Sequence, residues 1–564
     1  MGFGIWTKFI KGKNLIVISL YTFLFLLGIK TLFHGFPDIE RFFAEWWDER
    51  LTLTYIMKFG TLNFAPTQIW HPPLYHYLTF VPIALFYLFG RIIGFFADKT
   101  EFIRYYFYNT HYFLLIGRVT SYAFFWGSAL MIFKICRLFY NRLVSHITTL
   151  AFLLVPRFIF DFSTTRPETL LFLNTSIFTY FALRFYLNNK QSKYILSAAF
   201  FLGVSTATKY NAVFLGVIIL ALLYAARQVI FKGTYKKFIM LCLKILSLAF
   251  LGFFLCDPFF IVQFKKFAYN FMLYNLENKY YWDAPATFLI THAKDLGSLV
   301  YINIFGMLIL LLGIFRLFKE EKSLFFPIAI TILLYEAYFG IYLSQQSPLR
   351  YLNPVMPLVA LVFSAGVNFI LEHKKKFIPV LFIFFCILAY NFLDIWYGLS
   401  FRPTYIQEVR KFIEKTTPEF TNICIASDSF MPQLNMTRQT YLYLINTAPK
   451  AAYLLDCKIK YINMDDESRY NSVYRELRIE SMTQRPQYNL IRWDTNLNTQ
   501  DAAVKFLVKN KIKYIVSYGQ FTINKQNAEK IEGIELVKEF KPKNRRVYGN
   551  NSLYLYRANL DYNE

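Results

Sequence analysis

The densest group of ionisable residues in the sequence lies between the first two apolar segments, within residues 34–75. Carboxylates such as Asp48 and Glu49, held beside a membrane, can accept a proton from a hydroxyl group or bind a divalent cation. A charge run of this kind is also typical of an amphipathic helix with a solvated acidic face. We favour that interpretation for the remaining acids of the run, which are Asp38, Glu40 and Glu45.

Several cationic side chains stand at the ends of apolar segments, where positive charge can bind a phosphate group. In a partly dehydrated cleft such contacts are much stronger than exposed ion pairs. The candidates are His71, Lys209 and Arg350, followed by Arg118 and Arg166. Simpler interpretations remain: Lys209 and Arg350 can reach towards lipid headgroups from a helix end, and His71 can bond to the loop backbone before two prolines.

Glu168 is a second candidate acid, two residues after Arg166 in another short connection. It is a candidate for catalysis or, together with Asp48 and Glu49, for holding a divalent cation. It is equally a candidate for a structural ion pair with Arg166 or Arg157. The residue types alone leave both interpretations open.

Four short motifs occur in an order that resembles one known family. The first is Asp48-Glu49, followed by Gly60 and then His71-Pro72-Pro73-Leu74; the others are Thr165–Leu170, Ala207–Asn211 and the Arg-Tyr-Leu-x-Pro motif at 350–354. In these motifs the chain resembles the superfamily of protein O-mannosyltransferases and aminoarabinose transferases, which are membrane glycosyltransferases of the GT-C type. Together the motifs cover most of residues 14–400.

The resemblance implies both a fold and a set of site residues. The implied fold is a polytopic α-helical membrane protein of the GT-C type, and the implied donor is a sugar on a polyprenyl phosphate. Asp48 would be the catalytic base, with Glu49 beside it. The family usually carries Asp at the second acidic site, where this chain has Glu168. Whether Asp48, Glu49 and Glu168 hold a divalent cation therefore stays open.

The composition indicates that most of the chain lies in a membrane. Of its 564 residues, 56% are hydrophobic and only 17% are charged, whereas about 25% are charged in typical soluble domains. Apolar runs of roughly 20 residues, long enough to cross about 30 Å of hydrocarbon, recur from Asn14 to Trp396. The net charge of +25 is spread between these runs and forms no compact basic patch, so we do not expect a nucleic-acid partner.

The distribution of Lys and Arg predicts the orientation in the membrane. Connections rich in basic residues should face the cytoplasm. The remaining loops and everything after residue 397 should then lie outside; these loops are 34–75, 162–166, 208–210, 259–295 and 344–350. We predict an odd number of crossings, about 11 to 13. The segment at 76–96 breaks the alternation, so it is either re-entrant or paired with a second crossing around 101–116. The expected location is a bacterial inner membrane.

Beyond residue 400 the hydrophobic density falls, and short strand-like runs alternate with helical stretches. We predict a transmembrane domain at 1–400 and a non-cytoplasmic α/β domain at 401–564. Its clearest elements are strands at Ile423–Ala426, Tyr514–Ser517 and Leu553–Tyr556, and helices at Thr404–Lys415 and Thr499–Asn510. A disulfide between Cys424 and Cys457 stays open.

These features favour a glycosyltransferase that moves one sugar from a lipid carrier to a hydroxyl group of a lipid, glycan or protein acceptor. A transporter or lipid flippase is the main alternative, although such proteins usually carry ionisable residues at mid-membrane and repeated halves. An oligosaccharyl or polymer ligase is the nearest alternative among enzymes, and a membrane assembly protein is a third. The absence of a Walker loop, an HExxH motif and a GxSxG motif argues against ATP-driven transport, zinc proteolysis and serine hydrolysis.

Overall fold

The structure is a computed structural model of the whole chain. The residues that it describes are 3–34, 36, 44–62, 64–66, 72–188, 191–230, 235–265, 267–269, 303–343, 348–373, 375–401, 405–426, 434–447, 470–493, 499–518, 521, 531, 533–541 and 552–560.

Helices account for most of the described chain. They are α1 Phe3–Leu32, α2 Ala44–Lys58, α3 Leu74–Ile92, α4 Lys99–Tyr108, α5 Thr110–Arg137, α6 Arg142–Leu153, α7 Pro156–Phe162, α8 Glu168–Leu187, α9 Ser192–Thr206, α10 Gly216–Ile230, α11 Tyr235–Cys256, α12 Asn303–Glu320, α13 Lys322–Leu343, α14 Met356–His373, α15 Ile378–Phe401, α16 Tyr405–Thr416, α17 Arg438–Thr447, α18 Tyr470–Met482 and α19 Gln500–Lys509. Short 3₁₀ segments lie at Phe59–Thr61, Tyr210–Leu215, Pro348–Val355 and Lys375–Phe377.

The chain divides into two compact units. Unit 1 comprises residues 1–29, 64–79 and 118–396, and unit 2 comprises residues 30–63, 80–117 and 397–564. Unit 2 thus joins two N-terminal segments to the region predicted as the C-terminal domain. The predicted boundary at residue 400 stays a prediction.

Among the described residues, six helices are long and apolar enough to cross a membrane, or seven if α6 and α7 form one bent span. These two helices meet at 68°, since Pro156 has no N–H with which to continue α6 but suits the first turn of α7. The chain is an integral membrane protein, as its composition predicts. The number of 11 to 13 crossings stays a prediction.

Glycines set the closest approaches between helices of unit 1. A Cβ atom at Gly203 of α9 would collide with the backbone carbonyl of Ala249 in α11, and one at Gly366 of α14 would collide with the carbonyl of Ile309 in α12. Small residues at crossings are the usual device for packing helices in lipid, because backbones can then come into contact. These two helix pairs therefore form the tightly packed part of unit 1.

The segment at 101–116 contains no separate crossing. It is divided between α4 and the start of α5, and the ten residues of α4 span only about 15 Å. The side chain of Asp98 caps α4 by accepting a hydrogen bond from the backbone N–H of Glu101 at 2.8 Å. The alternative of a second crossing in this segment is therefore not supported.

Unit 2 contains an apolar core that joins segments far apart in the sequence. Leu53 and Ile56 of α2, Ile103 of α4, and Tyr474 and Leu477 of α18 are buried in one cluster. The region predicted as the C-terminal domain therefore packs in one core with the helix that carries Asp48 and Glu49.

The C-terminal sheet confirms the predicted α/β character of this region. Its strands are β1 Asn422–Ile425, β2 Asn435–Met436, β3 Gln487–Arg492, β4 Tyr514–Tyr518, β5 Ile534–Phe540 and β6 Leu553–Ala558. The strand order is β2-β3-β1-β4-β6-β5, with parallel pairing from β2 to β4 and antiparallel pairing among β4, β6 and β5. The three predicted strands correspond to β1, β4 and β6, and the two predicted helices correspond to α16 and α19. Cys424 is a buried free thiol in β1, and Cys457 lies outside the described residues.

Candidate functional site

Glu168 is the first residue of α8, and two cations face its carboxylate. Nζ of Lys209 donates a hydrogen bond to Oε1 of Glu168 at 3.0 Å, and Nε of Arg166 lies 3.8 Å from Oε2. The three side chains are only 3%, 8% and 1% exposed, respectively. A carboxylate at the start of a helix is also stabilised by the helix dipole. Because charges this deeply buried depend on their partners, the group forms one electrostatic unit.

The turn after α9 fixes the position of Lys209. Nδ2 of Asn174 in α8 donates a hydrogen bond to Oγ1 of Thr208 at 3.0 Å, and that hydroxyl donates to the carbonyl of Val204 at 3.0 Å. Asn174 and Thr208 are both buried. The same helix therefore presents Glu168 and anchors the backbone beside Lys209.

A second buried acid, Asp161, lies near the end of α7. Its Oδ1 is 4.0 Å from a terminal nitrogen of Arg157, and its Oδ2 accepts a hydrogen bond from Nδ2 of Asn353 at 3.2 Å. Asp161 also interacts electrostatically with Glu168 and Arg166. Of the two arginines predicted as possible partners of Glu168, Arg166 lies beside Glu168, whereas Arg157 lies beside Asp161.

The cluster formed by Arg157, Asp161, Arg166, Glu168 and Lys209 is therefore a set of three basic and two acidic side chains, all buried. Among these described residues one positive charge is in excess. A buried group of this kind suits an anion that can approach the cations, because its Arg and Lys side chains are already held in place by acids.

The predicted acidic pair lies in unit 2. Asp48 and Glu49 are in the first half of α2; Glu49 is 2% exposed, and the side chain of Asp48 lies outside the described residues. From Thr52 to Phe59 every side chain is buried. The part of the helix that follows the pair is therefore buried, and Leu53 and Ile56 place it in the apolar core of unit 2.

The other predicted cations are described to different extents. Arg118 is 1% exposed within α5. The backbone of Arg350 lies in the 3₁₀ segment Pro348–Val355, while its side chain, like all of His71, lies outside the described residues. Most of the loop at 259–295 is also outside them. The roles of all the predicted site residues stay predictions.

Two buried acids, Asp161 and Asp257, were not predicted as site residues from the sequence. Asp161 sits four residues after Arg157, a spacing that allows pairing on one helix face, but its bond to Asn353 joins positions far apart in the chain. Asp257 directly follows α11 and is 2% exposed, and its Oδ1 has no hydrogen-bond partner among the described residues. Burial raises the pKa of Asp257 to about 6, and a hydrogen bond from the backbone N–H of Phe260 offsets part of that rise. The adjacent Pro258 marked a helix end without indicating burial.

No group of three or more His, Cys, Asp or Glu side chains gathers as metal ligands within the described part of the chain. Glu168 faces Lys209 and Arg166, and cations so close to a carboxylate oppose the binding of a further cation. The surroundings of Glu168 thus fit an anion better than a metal ion.

Solved structures similar to this chain share little sequence with it. ArnT from Cupriavidus metallidurans in the apo state has a TM-score of 0.48 and 11% identity, over 97% of this chain and 98% of that one. The same protein bound to undecaprenyl phosphate has a TM-score of 0.42 and 10% identity, over 96% and 98%. The oligosaccharyltransferase AglB from Archaeoglobus fulgidus, in complex with an inhibitory peptide and a dolichol-phosphate, has a TM-score of 0.42 and 12% identity, over 90% and 70%.

Sequence comparison is more specific about one region. No curated protein matches the chain. The family model of dolichyl-phosphate-mannose-protein mannosyltransferases matches residues 115–253, a region that contains Glu168 and Lys209 but neither Asp48 nor Arg350. This match confirms, over that region, the predicted resemblance of the chain to membrane glycosyltransferases of the GT-C type.

Proposed function

We propose that this chain transfers a monosaccharide from a polyprenyl-phosphate carrier to an acceptor hydroxyl group, with Asp48 as the general base. One observation carries the proposal: the buried contact of Glu168 with Lys209 and Arg166 lies inside the region that matches the mannosyltransferase family. The proposed location is a bacterial inner membrane, and the distribution of basic connections predicts that the reaction takes place on its outer face.

The reaction needs two kinds of group. The acceptor oxygen forms a bond to the anomeric carbon while the bond from that carbon to the phosphate oxygen breaks. The hydroxyl proton passes to the carboxylate of Asp48, and polyprenyl phosphate leaves with the bonding electron pair. Fixed cations near the leaving phosphate lower the barrier, since they stabilise negative charge as it develops.

In this proposal Glu168 orients the two cations and does not accept the proton. Its carboxylate accepts a hydrogen bond from Lys209 and faces Arg166, so both cations are oriented before the donor arrives. We assign the orientation of these cations to Glu168 and the acceptance of the proton to Asp48. His71, Arg350 and Arg118 are proposed as further contacts of the donor phosphate, and no step is routed through a metal ion.

The test uses the purified full-length protein in proteoliposomes with labelled sugars on polyprenyl phosphates. Undecaprenyl and dolichyl carriers, each with a hexose or a pentose, should be offered with lipid, glycan and peptide acceptors. We expect free polyprenyl phosphate and labelled acceptor to form together for at least one donor.

The alternatives give different products. A flippase moves the labelled lipid across the bilayer with its sugar still attached, and an oligosaccharyl ligase requires a preassembled glycan on the carrier. Translocation of intact donor, without release of the carrier from any donor tested, would refute the proposed transfer.

A further inference from the structure

Asp161 lies beside the proposed phosphate site without belonging to any of the motifs that indicate it. It is 1% exposed, and its closest polar contact among the described residues is the amide of Asn353 at 3.2 Å. Arg157 at 4.0 Å is beyond hydrogen-bond distance. The hydrogen bond therefore joins the end of α7, which leads to Glu168, to the 3₁₀ segment Pro348–Val355.

Asn353 occupies the variable position of the Arg-Tyr-Leu-x-Pro motif. A 3₁₀ helix has three residues per turn, so positions 350 and 353 lie on the same face of the segment. Asn353 is fully buried, and its amide can bond to Asp161 without adding charge. A constraint on Asn353 therefore also constrains the backbone at Arg350, one turn earlier.

We propose that Asp161 is a positioning residue, which holds the segment Pro348–Val355 through Asn353 and so sets Arg350 relative to the cations at Glu168. This inference rests on the proposed function in one respect only, the role of Arg350 at the donor phosphate. The mechanical part, that Asp161 immobilises the segment, stands without it.

The experiment therefore has a structural arm and a kinetic arm, both on the full-length protein. The structural arm measures hydrogen exchange of the backbone amides at 348–355 in Asp161→Asn, Asn353→Ala and the exchanged pair Asp161→Asn with Asn353→Asp. Loss of a buried hydrogen bond should speed exchange there by about tenfold in Asn353→Ala. The exchanged pair restores one donor and one acceptor, so its exchange should return towards that of the wild type.

Ser176→Ala is the matched control, because Ser176 is a buried polar residue of α8 away from the cluster. Its exchange at 348–355 should equal that of the wild type. Exchange unchanged in Asn353→Ala, or raised equally by the control, would overturn the positioning role even if the enzyme transfers sugar as proposed.

The kinetic arm asks whether the constraint acts through Arg350. Asn353→Ala should raise KM for the donor by about tenfold with kcat changed far less, because a misplaced cation weakens donor binding. In an Arg350→Gln background the same substitution should have little further effect. Fully additive effects of the two substitutions would overturn the link to Arg350.

Discussion

The two acidic sites predicted from the sequence have different surroundings among the described residues. In unit 1, Glu168 is surrounded by charge: Lys209 bonds to it at 3.0 Å and Arg166 lies 3.8 Å away. In unit 2, Glu49 precedes a stretch of α2 that packs through Leu53 and Ile56 into an apolar core. A carboxylate that contacts two cations suits an electrostatic role, whereas we propose proton transfer for the acidic pair of α2. Under the proposed function, the cations beside Glu168 would bind the donor phosphate and Asp48 would accept the proton.

The largest expected effect is on turnover at the unit 2 site. Asp48→Asn should reduce kcat by about 10²–10⁴-fold, the usual contribution of a general base, while leaving the affinity for the donor unchanged. Glu45→Gln, on the same helix, is the control and should stay near wild-type activity. Turnover by Asp48→Asn equal to that of the wild type would remove the proposed division of roles.

The unit 1 site should respond to charge removal with a loss of stability. Lys209→Met removes the cation that bonds to the buried carboxylate of Glu168, and breaking a buried pair costs about 3–5 kcal/mol. The double variant with Glu168→Gln should recover part of this loss. Thermal unfolding in detergent measures both, and Lys193→Met, at the exposed start of α9, is the control. Equal stability of the single variant and the control would contradict a charge-dependent site.

The unit 2 site should instead respond to the loss of apolar contact. Leu477 of α18 is 4% exposed in the cluster that includes Leu53 and Ile56 of α2. Leu477→Ala should lower the free energy of unfolding by about 2–5 kcal/mol. Val473→Ala removes a side chain that is 39% exposed on the same helix and should cost about 0.5 kcal/mol or less. Equal losses in the two variants would show that α18 does not support this core.

A smaller effect concerns pH and Asp257. Burial raises the pKa of Asp257 from 3.8 to about 6, so the folded state holds its proton more tightly than the unfolded state. Stability from this group is complete below about pH 4 and is lost as the pH rises through 6, by at most about 3 kcal/mol. Asp257→Asn should abolish this part of the pH dependence of thermal unfolding. An identical pH dependence in the wild type and the variant would contradict the assignment.

Local patterns in the sequence predict several helices and strands of the C-terminal region. They predict the helices α16 and α19 and the strands β1, β4 and β6, because the periodicity of a single element is visible in its own residues. The residue types also suggest an ion pair of Glu168 with Arg166 or Arg157 as one alternative, and the structure places Arg166 at 3.8 Å from Glu168. The contact of Glu168 with Lys209 is not predicted from the sequence.

Contacts between distant segments could not be predicted, because a local pattern describes only the element in which it occurs. The hydrogen bond from Asn353 to Asp161 crosses 192 positions of the chain, and nothing in either local sequence specifies the other. The shared core of α2, α4 and α18 likewise depends on tertiary packing that no periodicity records. The suggestion of a second crossing around 101–116 rests on the charge rule for loops, which carries no information about the length of α4.

The most direct test of the central claim is the binding of undecaprenyl phosphate to the purified protein, measured for the wild type, Lys209→Gln and Lys193→Gln. Lysine-to-glutamine exchange keeps a donor for Glu168 but removes the charge that the leaving phosphate is proposed to meet. The account predicts that Lys209→Gln raises Kd by about tenfold or more, the size of a charge-assisted hydrogen bond, while Lys193→Gln leaves Kd unchanged. A folded Lys209→Gln protein that binds undecaprenyl phosphate as tightly as the wild type would contradict it.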